Sequence, residues 1–406
     1  MDHLDPTLTP LRVAFDARDL TEPAQRGMVR YIVGLTRNLG RYGVRATLFH
    51  RARQPLDAAH VAESGCEAVG LRDASGLYWE QVSVPLALAR GGFDLYHAPA
   101  ERGVPFLAPC PVVFTIHSAT ALSYADLVKR GELPGPASRY LGYASGRPSW
   151  YSRLAQAQTR RADSIVTVSE FAREELIRLM KMPSSKIAVT PLGLPEAFSR
   201  PTDPARIERT LAHRRVKPPY LLFVGGFEAH KNPSGFLAAA AAVRRLRPDI
   251  SVVIVGSGKV PNNLVRLSAA AGFTPETAVF LSNLREELVD LYDGAAVYVS
   301  LSWRESFGMP SLEAMARGIP VVVSAWGAAP EIVGAAGRLI DPRDPETVAA
   351  AVMRALDPAG RADAAARGRA KAAEFTWDRT AELTARIYSR LAMKREFSAT
   401  QLPGGM

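Results

Sequence analysis

Short apolar runs separated by longer amphipathic runs recur along the whole chain. In the first half, this alternation predicts strands, with helices between them, over residues 11–16, 44–50, 93–97, 111–117, 163–169 and 187–190. Short apolar strands that alternate with helical stretches are typical of a parallel sheet covered by helices. The first half therefore reads as a doubly wound α/β domain.

The same alternation starts afresh in the second half, where it predicts strands over residues 220–224, 251–255, 278–281, 296–300 and 319–324. Between the halves lies a segment with two prolines, Pro201 and Pro204, which we interpret as a linker. The predicted organisation is an N-terminal domain over 1–200, a linker over 201–217, a C-terminal domain over 218–377, a last helix over 378–395 and a tail over 396–406.

Length and composition agree with two domains. The 406 residues are 47% hydrophobic, so each half can bury a core. No apolar run reaches the ~20 residues of a membrane-spanning helix, and the polar, acidic first ten residues do not resemble a signal peptide. Two cysteines, Cys66 and Cys110, form neither a disulfide framework nor a metal cluster; we expect buried thiols in a reducing cytoplasm.

The net charge of +10 favours anionic partners, which include nucleic acid, phospholipid surfaces and phosphorylated substrates. An arginine-rich surface without such a partner would have the same charge. Composition alone therefore does not choose among these classes.

Residues 303–323 form a loop, a short helix and a buried strand. Pro310 suits the first turn of the helix, Gly318 suits the position after its end, and Gly308 lies in the loop 306–309. A helix N-terminus offers free N–H groups to an anion. Glu305 and Glu313 flank this N-terminus and could hold hydroxyl groups on either side of a phosphate. From the residues alone, an ordinary helix with solvated acids is equally compatible.

Two further loops could bind an anion. Gly27 precedes a predicted helix, and the loop 225–232 combines glycines with Lys231 ahead of another helix. Backbone donors, a helix dipole and one mobile cation suit a diphosphate. The spacing is not that of a P-loop. The G-x-G at Gly256 and Gly258 lacks the third glycine of a dinucleotide site, so we reject that interpretation.

Two regions of the first half also carry polar chemistry. His117 ends a predicted strand, where open α/β sheets bind ligands, although a lone histidine is more often structural. The stretch 119–161 mixes basic and aromatic residues with glycine and proline. It could be a plain surface loop or the side that receives an acceptor, for which our candidates are Tyr124, Arg139 and Arg147.

The string E-S-F-G-M-P-S-L-E-A-M-A-R-G-I-P-V-V, which starts at Glu305, resembles the E-x(7)-E motif of the retaining nucleotide-sugar glycosyltransferases of family 4. Further strings resemble the same family along nearly the whole chain: R-G-M-V-R-Y, A-D-S-I-V-T-V-S-E-F, K-I-A-V-T-P-L-G-L and F-T-W-D. The resemblance implies the GT-B architecture, two Rossmann-like doubly wound domains that face each other across a cleft. It also implies that the helix 378–395 packs back onto the first domain.

By this resemblance the catalytic residues are Glu305, His117 and Lys231, with no metal and no cofactor besides a UDP- or GDP-sugar donor. The donor-binding positions are Gly27, Gly226, Asn283, Leu284, Ser306, Phe307, Gly308, Met309 and Glu313. Two departures stand out: Ser118 replaces the acid that usually follows the histidine, and the arginine common near Gly226 or His230 is missing.

The expected function is retaining transfer of a mannosyl, glucosyl or N-acetylglucosaminyl-like unit to an acceptor hydroxyl in bacterial polysaccharide, glycolipid or glycosylated-metabolite synthesis. The acceptor would be a sugar, a lipid-linked sugar or a small molecule, not nucleic acid. The expected location is the cytoplasm, and a basic surface also allows peripheral contact with the inner face of the membrane.

Three alternatives stay open. One is another enzyme of this architecture, a phosphorylase or a nucleotide-sugar epimerase. A second is a non-catalytic protein that binds sugar nucleotides or lipids, which the presence of both Glu305 and Lys231 disfavours. A third is a nicotinamide oxidoreductase, which the incomplete G-x-G disfavours.

Overall fold

The computed structural model describes residues 9–21, 27–100, 102–133, 157–284 and 286–400, without the side chains of residues 121 and 396–400. The chain divides into two compact units. One unit combines Met1–Gly193 with Thr376–Met406, and the other is Leu194–Phe375.

The first unit is built on a parallel sheet. Its strands are β1 (Leu11–Asp16), β2 (Val44–Arg51), β3 (Glu67–Leu71), β4 (Leu95–Ala98), β5 (Val112–Thr115), β6 (Ser164–Thr167) and β7 (Ile187–Val189). Their order is β3-β2-β1-β4-β5-β6-β7. The central strands β4 and β5 are buried along their whole length, as expected when helices cover both faces of a parallel sheet.

The helices of this unit are α1 (Gly27–Leu39), α2 (Ala58–Ser64), α3 (Gly76–Tyr78), α4 (Val84–Gly91), α5 (Thr120–Lys129) and α6 (Glu170–Met180), and a π-helical turn, Trp79–Ser83, joins α3 to α4. The last helix of the chain, Trp377–Thr400, returns to this unit, where the indole of Trp377 lies against Gly34 of α1. Because Gly34 has no side chain, the two helices can approach closely at this point.

The second unit repeats the design with a six-stranded parallel sheet. Its strands are β8 (Tyr220–Val224), β9 (Ser251–Gly256), β10 (Ala278–Ser282), β11 (Val297–Ser300), β12 (Val321–Ser324) and β13 (Arg338–Ile340), in the order β10-β9-β8-β11-β12-β13. Its helices are α7 (Pro204–His213), α8 (Pro233–Leu246), α9 (Asn262–Ala270), α10 (Glu287–Asp293), α11 (Met309–Ala316), α12 (Ala329–Ile332), α13 (Pro345–Leu356) and α14 (Pro358–Ala372); the C-terminal helix is α15.

In both sheets the strand order reverses once, between β1 and β4 in the first and between β8 and β11 in the second. Loops that leave such a reversal point diverge, which opens a crevice at the carboxyl ends of the strands. The two reversal points are therefore where ligands are expected. The prediction of two Rossmann-like doubly wound domains is confirmed.

The domain limits differ from those expected. Residues 201–217 are not a free linker, because Pro204–His213 form α7, which Asp203 caps through a bond from the N–H of Ala205. This helix packs into the second unit, where Arg206 pairs with the buried carboxylate of Asp290. At the other end α15 continues to Thr400, past the predicted start of the tail at residue 396.

Two smaller expectations concern the cysteines and the membrane. Both cysteines are free, but whereas Cys110 is buried, Cys66 is only half-buried. Among the residues that the structure describes, none of the helices combines the length and the apolar character needed to cross a bilayer.

Candidate active site

Lys231 and Glu305 meet at the reversal point of the second sheet. The loop after β8 carries Lys231, and the loop after β11 carries Glu305. The Nζ of Lys231 donates to Oε2 of Glu305 at 2.6 Å, and their side chains are 21% and 25% exposed. Since the two residues lie 74 positions apart, only the strand order brings them together.

The backbones of these two loops are tied to each other and to their neighbours. The N–H of Trp303 donates to the carbonyl of His230 at 2.7 Å, and the N–H of Ala328 donates to the carbonyl of Glu305 at 2.9 Å. Gly327, at φ 82°, lies so close that a Cβ there would come within 2.8 Å of the nitrogen of Glu305. These contacts hold the Glu305 backbone in one place.

Glu305 leads into the N-terminus of α11. Ser306 and Phe307 are buried, and the ring of Phe307 packs edge-on against Phe375 at 5.7 Å. Gly308 precedes the helix at φ 97°, a conformation that favours glycine, and Met309 is the first helical residue. Pro310 has no N–H, and the N–H groups of Ser311 and Leu312 donate to the carbonyl of Gly308 at 2.9 and 3.2 Å. The backbone donors that this helix end offers to an anion are therefore those of residues 307–309, where the helix dipole also favours negative charge.

Glu313 does not stand at the surface of this helix. It is 1% exposed, and its Oε2 accepts a hydrogen bond from the hydroxyl of Tyr292 at 3.0 Å. The sequence indicated Glu313 as a donor-binding residue but gave no sign of Tyr292, whose O–H also reaches the carbonyl of Pro310. The structure therefore puts Glu313 in a buried contact beneath the first turn of α11.

The loops after β9 and β10 are fastened together by Asn283. Its Oδ1 accepts from the N–H of Gly258 at 3.1 Å, and its own N–H donates to the carbonyl of Gly256 at 3.1 Å. Asn283 holds φ at 56°, which asparagine tolerates better than most residues. The G-x-G turn thus serves to position Asn283, with Leu284 next in the chain.

Gly226 and His230 complete the loop of Lys231. A Cβ at Gly226 would overlap the carboxylate of Glu228, so a larger residue there would require this exposed side chain to move. Burial, together with the charge of Lys231, lowers the pKa of His230 below its ordinary value. His230 is therefore neutral at pH 7 and does not replace the missing arginine.

His117 follows β5 in the first unit. Its Nε2 lies 2.9 Å from the carbonyl of Pro99, which can only accept, so Nε2 carries the proton. The ring of Tyr31 packs edge-on at 4.8 Å. Burial lowers the pKa of His117 to about 4, which leaves a neutral ring at pH 7.

A buried polar chain lies beside His117, and the sequence gave no sign of it. The hydroxyl of Tyr388 on α15 is 2.6 Å from Nδ1 of His97, and Nε2 of His97 is 2.7 Å from the hydroxyl of Thr115. Thr115 in turn contacts the hydroxyl of Tyr31 at 3.1 Å. Burial lowers the pKa of His97 to about 3. The chain links β4, β5, α1 and the C-terminal helix.

The remaining candidates of the first unit are less well placed. Gly27 opens α1, and a Cβ added there would meet nothing within 4 Å. Arg139 and Arg147 lie outside the described residues. Tyr124 is 4% exposed on α5, a regular helix within the stretch expected to be irregular. A buried tyrosine does not fit the expected exposed acceptor surface.

Comparison with known proteins identifies the family of the chain. The family model described as Glycosyltransferase Family 4 matches residues 25–198, and the one described as Glycosyl transferases group 1 matches residues 208–371. A D-inositol 3-phosphate glycosyltransferase of Kineococcus radiotolerans is 30% identical over 410 residues, which cover 91% of each chain. The O-antigen chain mannosyltransferase B of Escherichia coli is 32% identical over 234 residues, 57% of this chain.

Several matches are partial. The chain spans only 61% to 64% of the length of four relatives, which include the mannosyltransferase and three further D-inositol 3-phosphate glycosyltransferases. Among solved structures, Anabaena HepE in complex with UDP-glucose shares the fold at a TM-score of 0.71 and 17% identity, over 94% of this chain and 100% of that one. Together with the two sheets, these matches show that the chain belongs to the family 4 glycosyltransferases of the GT-B fold.

Proposed function

We propose that this protein transfers a hexosyl unit from a UDP- or GDP-sugar to an acceptor hydroxyl, with retention of the anomeric configuration. The observation that carries the proposal is the Lys231–Glu305 pair at the reversal point of the second sheet, beside the N-terminus of α11. A cation, a helix N-terminus and a carboxylate are the groups that a diphosphate joined to a sugar requires.

The diphosphate would lie against Lys231 and the N–H groups at the start of α11. Negative charge on the leaving nucleoside diphosphate rises as its bond to the sugar breaks. Fixed donors aimed at that charge stabilise the transition state more than the ground state. No D-x-D pair occurs in the chain, and we propose that Lys231 and the helix N-terminus do the work of a metal ion.

The sugar and the ribose would use the two glutamates. Glu305, a quarter exposed, would accept hydrogen bonds from hydroxyls of the donor sugar. Glu313, whose Oε2 accepts from Tyr292, would bind hydroxyls of the ribose. Asn283 and Leu284, held at the carboxyl ends of β9 and β10, would lie beside the base.

His117 would act as a neutral hydrogen-bonding group rather than as a proton donor. Its proton is committed to Pro99, and its pKa of about 4 makes the ring a weak base. Nδ1 can then accept a bond from a sugar hydroxyl. We propose that the acceptor hydroxyl attacks on the face from which the diphosphate leaves, so that the leaving group takes the proton.

The relatives suggest the class of acceptor. One is named for inositol 3-phosphate and another for O-antigen chains. With a net charge of +10, an anionic acceptor is favoured, either a phosphorylated polyol or a lipid-linked saccharide at the inner face of the cytoplasmic membrane.

A screen of UDP- and GDP-hexoses for release of the nucleoside diphosphate tests the proposal. Wild type should release UDP or GDP from at least one donor, with unchanged rate in excess EDTA. Glu305→Gln, which alters a half-buried loop side chain, should keep its fold by circular dichroism and lose at least ~100-fold in rate. Glu276→Gln, an exposed acid before β10 at the opposite end of the sheet, is the matched control and should retain the wild-type rate.

Absence of release from every donor, or wild-type release by Glu305→Gln, would overturn the proposal. If EDTA inhibits release and magnesium restores it, only the proposal that the reaction needs no metal ion is overturned.

A further inference from the structure

In the ion pair between Lys231 and Glu305, each side chain occupies the group that the proposed function needs to bind the donor. Lys231 is assigned to the diphosphate and Glu305 to the donor sugar, yet each holds the other at 2.6 Å. We propose that Glu305 competes with the diphosphate for Lys231, and that this competition makes the protein prefer a nucleotide sugar over the nucleoside diphosphate that it releases. The inference rests on the proposed function and adds a means of product release to it.

Competition follows from the charges. A phosphate oxygen that bonds to Nζ of Lys231 must come within about 3 Å of it, where Oε2 of Glu305 already lies. Two anions beside one cation repel each other, and the sites are sheltered enough for that repulsion to count, since both side chains are about three-quarters buried. The carboxylate must therefore move away when the diphosphate binds.

The backbone cannot provide that movement. The hydrogen bonds of Trp303 to His230 and of Ala328 to Glu305 fix both loops, and Gly327 abuts the Glu305 backbone. Separation thus takes place by rotation of the two side chains. Glu305 then loses its partner and needs another.

A nucleotide sugar supplies that partner and a nucleoside diphosphate does not. Hydroxyls of the donor sugar can donate to the Glu305 carboxylate, which replaces the lost bond to Lys231. After transfer the sugar is gone, Glu305 is again without a partner, and it recaptures Lys231 from the diphosphate. Breaking the pair therefore weakens the binding of the product more than that of the donor.

Isothermal titration of UDP and of GDP, and of the donor found in the screen, tests this on the full chain. Glu305→Gln keeps the side-chain shape but removes the competing charge. It should bind the nucleoside diphosphate about three- to tenfold more tightly than wild type, in keeping with the modest strength of partly exposed ion pairs. It should bind the nucleotide sugar no more tightly than wild type. Glu276→Gln, on an exposed acid before β10 at the opposite end of the sheet, should leave both affinities unchanged.

The same measurements in a Lys231→Met background distinguish competition for Lys231 from direct repulsion between the Glu305 carboxylate and the phosphates. If Glu305 acts through Lys231, the tightening by Glu305→Gln disappears in that background. If Glu305→Gln tightens nucleoside diphosphate binding equally in both backgrounds, the carboxylate repels the phosphates directly, and the proposed competition for Lys231 is overturned. Wild-type affinity for the nucleoside diphosphate in Glu305→Gln would also overturn it, while leaving the proposed function intact if wild type still turns over. Neither binding nor turnover by wild type would instead reject the proposed function.

Discussion

The carboxyl edges of the two sheets are built alike but carry different chemistry. In the second unit the edge presents a charged pair, Lys231 and Glu305, about a quarter exposed. In the first unit it presents His117, neutral because burial lowers its pKa to about 4. Fixed charges stabilise a leaving group that gains charge in the transition state. A neutral polar group is enough to orient hydroxyls by hydrogen bonding. Under the proposed function, the donor diphosphate would therefore lie on the second unit, and the first unit would orient hydroxyls.

The supporting structure differs in the same way. Around Glu305 the backbone is held by glycine at positive φ and by hydrogen bonds between loops. His117 is supported by the carbonyl of Pro99 and the ring of Tyr31. The hydroxyl of Tyr31 begins a chain of side-chain hydrogen bonds that runs through Thr115 and His97 to Tyr388. The position of Glu305 therefore depends on the loop backbone, whereas the orientation of the His117 ring depends on packed side chains.

Removal of the Lys231 charge should have the largest effect. Lys231→Ala is expected to lower kcat/KM by about 100-fold or more, because a donor to the departing diphosphate is lost. Lys217→Ala, at the opposite end of β8 and exposed, should stay within about threefold of wild type. Steady-state release of the nucleoside diphosphate gives kcat/KM for both variants. Equal losses in kcat/KM would mean that Lys231 has no special role at the carboxyl end of the sheet.

Disturbance of the backbone behind Glu305 should rank next. Gly327→Ala places a methyl group against Glu305 at φ 82° and should lower kcat/KM by about tenfold. Gly334→Ala is the matched control, since Gly334 also has positive φ, 51°, but open space around it. It should cost only about 1–2 kcal/mol of stability for the backbone strain, with an unchanged rate. If both variants lose activity alike, strain rather than the position of Glu305 is responsible.

The lowered pKa of His117 should affect how the stability of the fold depends on pH. His117 is neutral in the folded chain down to about pH 4, whereas the unfolded chain takes up its proton below about 6.5. This contribution is therefore present above about pH 6.5 and is lost as pH falls towards 4, by roughly 1 kcal/mol at pH 5.5.

His117→Gln, which can still donate to Pro99 but does not titrate, should reduce the loss of stability between pH 7.5 and 5.5 by that amount in urea titrations. His213→Gln, on an exposed histidine of α7, serves as the control. A pH dependence of His117→Gln equal to that of wild type would mean that His117 is charged in the folded chain.

The sequence predicted most strands because their patterns are local, but it missed the edge strands β3 and β13. The run Ser251–Gly256 and the left-handed Gly318 after α11 follow from apolar periodicity and helix-end chemistry. The helix α7 was missed because Pro204 was read as a chain breaker, although proline suits a first turn that Asp203 caps.

The site was predicted only in its parts. Lys231 and Glu305 were both named, but their contact depends on the order β8-β11 across 74 residues, which no local pattern contains. The burial of Glu313 against Tyr292 and the chain through His97 are likewise long-range packing. A histidine beside a strand end was the available signal for His97, and it did not distinguish a buried bridge from an ordinary strand residue.

Hydrogen exchange in the presence of a nucleoside diphosphate tests most directly whether the charged edge binds the donor. Saturating UDP or GDP should protect amides of residues 225–232 and 303–312, and protection there should vanish in Lys231→Met. Protection confined to the loops around Pro99 and His117, or protection of the second unit that survives Lys231→Met, would contradict the assignment of the diphosphate to Lys231.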